Sequence, residues 1–192
     1  MIGESLDILW EDGVGTIQRT AVLWVALALV AVGAGAQEPD LAQDAYFRAV
    51  GEFFQVPSSE LEILRDWSLP PDEIPVILFV SDRAGVVPEA LVALRRGGES
   101  WTRLAERYGV GAPELHVPLP DQAATGPLNT AYESFRALPV SRWREIRLTP
   151  QDIVALVNLR LLSQTLGVPP TEVLSRAGST DSFVQLYGEL IR

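Results

Sequence analysis

The chain has 192 residues, 47% of them hydrophobic and 21% charged, with a mean hydropathy of +0.16: enough for one packed core, too little for two large domains. Its 15 basic residues face 25 acids, a net charge of −10, which disfavours phosphate backbones and anionic membranes as partners. There is no cysteine, no lysine and a single histidine, so disulfides, thiolate or Schiff-base chemistry, P-loop lysines and multi-histidine metal sites are excluded.

The first element is an uncharged run, Thr20 to Ala36, preceded by Arg19 and closed by Ala34-Gly35-Ala36. The chain then turns polar at Gln37-Glu38-Pro39-Asp40. A positive residue, a short apolar stretch and small residues at the end make the layout of a secretory signal, so residues 1–36 are expected to be a signal peptide. An uncleaved inner-membrane anchor through residues 20–36 is the alternative, although 17 residues fall short of the ~20 that a span needs. Glu4, Asp7, Glu11 and Asp12 do not suit the positive leader of a signal, which points to a translation start near Val14. Absence of lysine beside plentiful Arg, Ala, Gly and Pro suggests a GC-rich bacterial genome, and the periplasm or the exterior as destination.

Residues 37–192 are expected to form a single all-α domain, a compact globule of about eight short helices. Over Asp44 to Phe54, Tyr46, Phe47, Val50, Phe53 and Phe54 recur at helical spacing on one face. Ser58 to Trp67 sets Leu61, Ile63 and Leu64 beside a face of Glu60, Glu62 and Arg65. Ile74 to Val80 has the propensity of a buried strand, yet an internal match assigns it to a helix. Ser100 is placed to cap a helix running to Tyr108, and a short helical stretch is expected over Leu128 to Leu138. Thr149-Pro150-Gln151-Asp152 is a strong helix start, and Ile153 to Leu166 is apolar nearly all round, the pattern of a buried central helix.

The internal match has an offset of 82 residues: Gly85-Val86-x-Pro88-x-x-Leu91 recurs as Gly167-Val168-x-Pro170-x-x-Val173. Ser100-Trp101-x-x-Leu104 then falls on Ser182-Phe183-x-x-Leu186, while Ile77 and Val80 fall on Leu159 and Leu162. The sequence therefore predicts a diverged helix-turn-helix-helix repeat, with copies at about 73–108 and 155–190 and a partial copy at 44–67. Glycine suits the left-handed cap past a helix end, and proline the first turn of the next helix.

Between the copies, Gly109 to Pro127 holds Pro113, Pro118, Pro120 and Pro127 and reads as a loop. The stretch before it, Leu94 to Val110, carries Arg95-Arg96, a Gly97-Gly98 turn and Ser100-Trp101-x-x-Leu104-Ala105 ending at Tyr108-Gly109-Val110. It resembles the opening of a homeodomain-like helix-turn-helix. The resemblance implies a recognition helix with basic and amide side chains next. The chain instead continues Gly111-Ala112-Pro113-Glu114-Leu115-His116-Val117-Pro118, broken by proline and without arginine.

No nucleophile, general base or phosphate loop appears in a recognisable context, so no catalytic residue, cofactor or metal ligand is assigned. Glu114, His116 and Asp121 lie close together on the loop with no motif to frame them. The leading expectation is an exported, non-catalytic interaction or scaffold module of the cell envelope, binding an envelope protein or ligand whose identity the sequence does not give. An enzyme using carboxylates or His116 and a helix-turn-helix nucleic-acid binder are the alternatives. Arg103, Arg107, Tyr108 and His116, at and beyond the helix leading into the loop, are the candidate partner-binding residues. The membrane is involved only through residues 20–36, if they stay attached. Processing as expected leaves Gln37 at the mature N-terminus. Intact-mass analysis of the soluble chain checks this, and a retained Thr20–Ala36 segment would contradict it.

Overall fold

The computed structural model describes residues 37–192, with side-chain environments from Leu41 onward; the expected signal segment lies outside the described residues. Ten α-helices follow one another there: α1 (Gln37–Phe54), α2 (Ser58–Arg65), α3 (Ile74–Ala84), α4 (Pro88–Arg96), α5 (Trp101–Tyr108), α6 (Ala112–Leu115), α7 (Asn129–Ala137), α8 (Pro150–Leu166), α9 (Pro170–Ala177) and α10 (Phe183–Leu190). Three 3-10 turns, Pro71–Glu73, Gly126–Leu128 and Val140–Glu145, join them, and the described residues contain no strand. Leu41–Arg192 is one compact, all-helical unit. No helix among the described residues is long and apolar enough to cross a membrane.

Local chemistry sets most boundaries. Thr149 and Asp152 form a reciprocal capping pair at the start of α8: Asp152 N–H donates to Thr149 Oγ1 at 3.1 Å, and Thr149 N–H donates to Asp152 Oδ2 at 2.9 Å. Ser100 Oγ accepts the Arg103 N–H at 3.3 Å and starts α5. Gly85 (φ 65°) and Gly167 (φ 66°) end α3 and α8 in the left-handed conformation that residues with a Cβ avoid. Pro88 and Pro170 open the helices that follow, where no N–H partner is missed.

α3 is a helix although its residues have strand propensity. All eight positions from Ile74 to Ser81 are buried, enclosed by α4, α5, α8 and the Pro71–Glu73 turn, so there is no sheet for a strand to join. In α2, Leu61 and Leu64 point inward, but Ile63 is 58% exposed, because it stands off the i, i+3 stripe. The expected loop at 109–127 is also more ordered than its prolines suggest. It contains the single turn α6, and Ala112, Leu115, Val117 and Thr125 are buried. Pro113 fits the first turn of α6, and Leu115 and Val117 provide the apolar anchors. This extra turn helps bring the number of helices above the expected eight or so.

α8 is the hub. It packs on α3, α5, α6, α9, α10 and two of the 3-10 turns, and Leu156, Leu159, Leu161 and Leu162 are wholly buried. Asn158, also wholly buried, interrupts this helix's apolar surface. Its Oδ1 accepts the Tyr46 hydroxyl at 2.5 Å, and its Nδ2 donates to the Asp72 and Val154 carbonyls, both at 2.9 Å. The Asp72 carboxylate in turn accepts the Phe183 and Val184 N–H groups at 3.0 and 3.2 Å, capping α10 from a distant part of the chain. Burial raises the Asp72 pKa, and those two N–H groups partly oppose the shift. Nearby, Glu73 grips Arg95 through two bonds of 2.8 Å, and the Arg95 guanidinium lies 5.7 Å from the Trp101 ring centroid.

Replacing Leu159 with alanine should cost ~2–5 kcal/mol, and Asn158→Ala, which orphans the Tyr46 hydroxyl, ~1–3 kcal/mol. Urea unfolding of both variants measures the two losses.

Candidate functional site

The helix α5, the segment Val110–Leu115 and the stretch Arg144–Leu148 enclose a cleft of about 430 Å³. Val110, Leu115, Leu148 and Ile153 give it a buried apolar floor. Glu106, Glu114, Arg144, Glu145 and Arg147 line it with charge. Each wall is tied in place. Thr102 Oγ1 donates to the Leu148 carbonyl at 2.9 Å, and Arg147 forms an ion pair with Glu106. Glu114 Oε2 accepts the Gly111 N–H at 2.9 Å and starts α6. From the far side, Arg160 Nη2 donates to the Glu114 and His116 carbonyls at 3.0 and 2.8 Å, fastening α6 to the hub helix.

The four residues singled out from sequence do not form one constellation. Arg103 is exposed on α5, 3.7 Å from Glu99 in a loose i, i+4 pair. Arg107 lies over Tyr108, with its guanidinium carbon 5.8 Å from the ring centroid. No hydrogen bond, ion pair or ring contact joins His116 to either arginine among the described residues. Its ring packs on Trp143, Phe135 and Tyr132, with centroids 4.4, 4.7 and 5.9 Å away. Asp121 is exposed and lies outside the cleft.

The His116 contact matters because it joins the α6 side of the cleft to the Val140–Glu145 turn. His116 follows directly on α6; Trp143 sits in the Val140–Glu145 turn and is held there by its indole N–H, shared between the Phe135 and Leu138 carbonyls at 3.2 and 3.1 Å. Burial lowers the His116 pKa below its ordinary value of 6.5, and the Arg160 guanidinium lowers it further. Tyr132 is pushed up to about 12, chiefly by burial, and donates its hydroxyl to the Val117 carbonyl at 2.5 Å.

Sequence reading passed over Arg144, Arg147 and Trp143, treating residues 141–146 as a lead-in to the central helix. The visible signal was a lone tryptophan flanked by Arg142, Arg144 and Arg147 immediately before a strong helix cap. Arg160 lay hidden inside the apolar hub. Among the described residues no group of three or more His, Asp or Glu side chains could hold a metal ion. No family model matches this chain, and neither a curated protein nor a solved structure matches it.

Because the folded state lowers the His116 pKa, the unfolded chain takes up a proton below pH ~6.5 that the native packing resists. The His116 contribution is therefore complete above that pH and shrinks as pH falls toward the folded-state pKa. Melting curves of the parent and of His116→Phe between pH 8 and 5 should diverge in that window, the parent losing more stability on acidification. Parallel curves would show that His116 is not linked to folding.

Proposed function

We propose that this protein is an exported helical interaction module of the bacterial cell envelope, non-catalytic in itself, and that it holds a segment of its partner in the cleft between α5, α6 and residues 144–148. The observation that carries the reading is the cleft's construction: a buried apolar floor inside a charged rim, fixed on a packed helical scaffold. Short walls stiffened by Pro113 and by capped turns keep the ordering loss on binding small. The export half of the proposal rests on Arg19, the uncharged run Thr20–Ala36 and the polar chain beyond it.

The same reading treats residues 73–108 and 155–190 as diverged copies of one unit, with 44–67 a partial third. Equivalent glycine caps at Gly85 and Gly167, equivalent prolines at Pro88 and Pro170, and complete burial of Ile77, Val80, Leu159 and Leu162 support it. Duplication would leave the intervening segment, from α6 to the Val140–Glu145 turn, free to carry recognition. The helix-turn-helix alternative is less well supported, since the element after Gly109-Val110 is the single turn α6.

In-cell photo-crosslinking tests both halves together. The full chain carries p-benzoylphenylalanine at Glu106, Arg147 or, as a control, Glu89 on α4, and is read after osmotic release of the periplasm. The exposed Arg147–Glu106 pair contributes only about 0–1 kcal/mol, so either replacement should leave the fold intact. Discrete adducts from both cleft positions in the released fraction, and none from Glu89, are expected. Retention in the cytoplasm would refute export; an absence of cleft adducts would refute the binding site.

A further inference from the structure

Independently of the cleft reading, we propose a second site: Arg83 and Arg160, gathered on the Phe79 ring, bind the doubly charged phosphoryl group of a small molecule, phosphate itself or a phosphate monoester.

Phe79 carries two cations. The Arg160 guanidinium carbon lies 4.9 Å from its ring centroid, and that of Arg83, one helical turn further along α3, lies 5.4 Å from it. No described carboxylate lies within ion-pair distance of either guanidinium. Asp82, next to Arg83 in the chain, is exposed and pairs with neither arginine. Glu114 offers Arg160 only its carbonyl, while its carboxylate accepts from the Gly111 N–H. The like charges oppose each other: after burial, the larger cause, Arg83 lowers the Arg160 pKa.

The pair also has donors left over. Arg160 Nη2 is used on the Glu114 and His116 carbonyls, but Nη1 is buried and has no acceptor among the described residues. A buried N–H without a partner marks a place where an ion or a water is expected. Arg83 is exposed in the last turn of α3 and makes no hydrogen bond or ion pair among the described residues. Its planar fork is free to follow an anion onto Arg160.

Charge selects the ligand. Water would satisfy Nη1 while leaving both positive charges uncompensated, and a carboxylate would cancel one of them. A phosphoryl dianion cancels both and brings three acceptor oxygens to the two forks. Nucleic acid and anionic membranes bring many charges at once and are repelled by a chain of net charge −10. A single phosphoryl group meets the local pair, since charges beyond about 8–10 Å are screened.

The experiment titrates the full chain, isotope-labelled, with sodium phosphate and with glycerol phosphate near neutral pH, sodium chloride holding the ionic strength constant. Both ligands should give saturable amide shifts at Arg83, Ala84, His116 and Arg160, with half-saturation at about 1 mM. Both should also raise the melting temperature above that in chloride alone. Acetate should act at least about tenfold more weakly. Arg83→Gln should weaken phosphate binding about tenfold while keeping the parent's amide dispersion, and Arg160→Lys, which keeps the charge without the fork, should do the same. Should Arg160→Lys lose dispersion, Arg83→Lys supplies the fork comparison. Arg48→Gln on α1 should bind as the parent does. Acetate that binds as tightly as phosphate overturns the phosphoryl class. Shifts that never saturate, an Arg83→Gln chain that binds like the parent, or a response to phosphatidylglycerol vesicles but to neither soluble ligand each overturns the site.

Discussion

The arrangement of this molecule depends on one buried amide. Asn158 lies midway along a helix enclosed by other elements, where an unpaired polar atom would cost about 1–3 kcal/mol. Its partners come from α1 and from the Pro71–Glu73 turn as well as from α8 itself. The Asp72 side chain then extends the network to the first two N–H groups of α10. Leucines alone would let α8 rotate with little penalty, since apolar residues lie nearly all round it. The amide removes that freedom, because only one rotation presents it to both the Tyr46 hydroxyl and the Asp72 carbonyl.

That rotation has consequences on the opposite side. Arg160 is two residues further along, roughly 200° round the helix, so fixing Asn158 toward α1 directs Arg160 toward α6. Ile153, seven residues before Arg160, falls on the same face and becomes part of the cleft floor. The polar node and the cleft do not touch, yet the first sets the position of the second. Arg160 itself is an uncommon anchor. It has no carboxylate partner among the described residues, holds two backbone carbonyls, lies 4.9 Å from the Phe79 ring centroid, and leaves Nη1 buried without an acceptor. Burial and the nearby Arg83 both lower its pKa. Burial, and after it the Arg160 charge, lower the pKa of the adjoining His116, whose ring packs against Trp143.

What was legible in the sequence were the features that short stretches encode. Thr149, Ser100, Gly85 and Gly167 mark helix ends through their own backbone chemistry, and the spacing of Tyr46, Phe47 and Val50 marks a buried face. The α3 segment was ambiguous on local grounds, because a helix buried all round has no polar face to give it a period. The site was harder still. Its residues meet through contacts that cross 41 to 46 positions, Arg147 with Glu106, Thr102 with Leu148 and Arg160 with Glu114, and no local pattern announces such pairs. Sequence reasoning settled on the end of α5 and the segment beyond it, whereas the cleft is lined by another face of that helix. Arg103 and Arg107 lie roughly 100° and 140° round α5 from Thr102, whereas Glu106 is only about 40° away and lines the cleft.

Using arginine as the only basic side chain shapes what remains free. A guanidinium satisfied by one carboxylate in fork geometry, as in Arg95–Glu73 and Arg142–Glu145, has few donors left facing that partner. Arg142 and Arg144 are neighbours in the same turn, and the first absorbs Glu145 entirely. Glu145, the acid adjacent to Arg144, is thus taken up by Arg142, within a six-residue turn too short to reach a second one. Trp143 between them is drawn inward by its N–H bonds and by the His116 ring, so the two arginines are turned outward around it. One side of the turn is thereby locked to the core while the other carries a charge without an internal partner among the described residues. An unpaired donor at the mouth of an apolar cleft follows from that division of the turn, as directly as the buried node follows from the amide on α8.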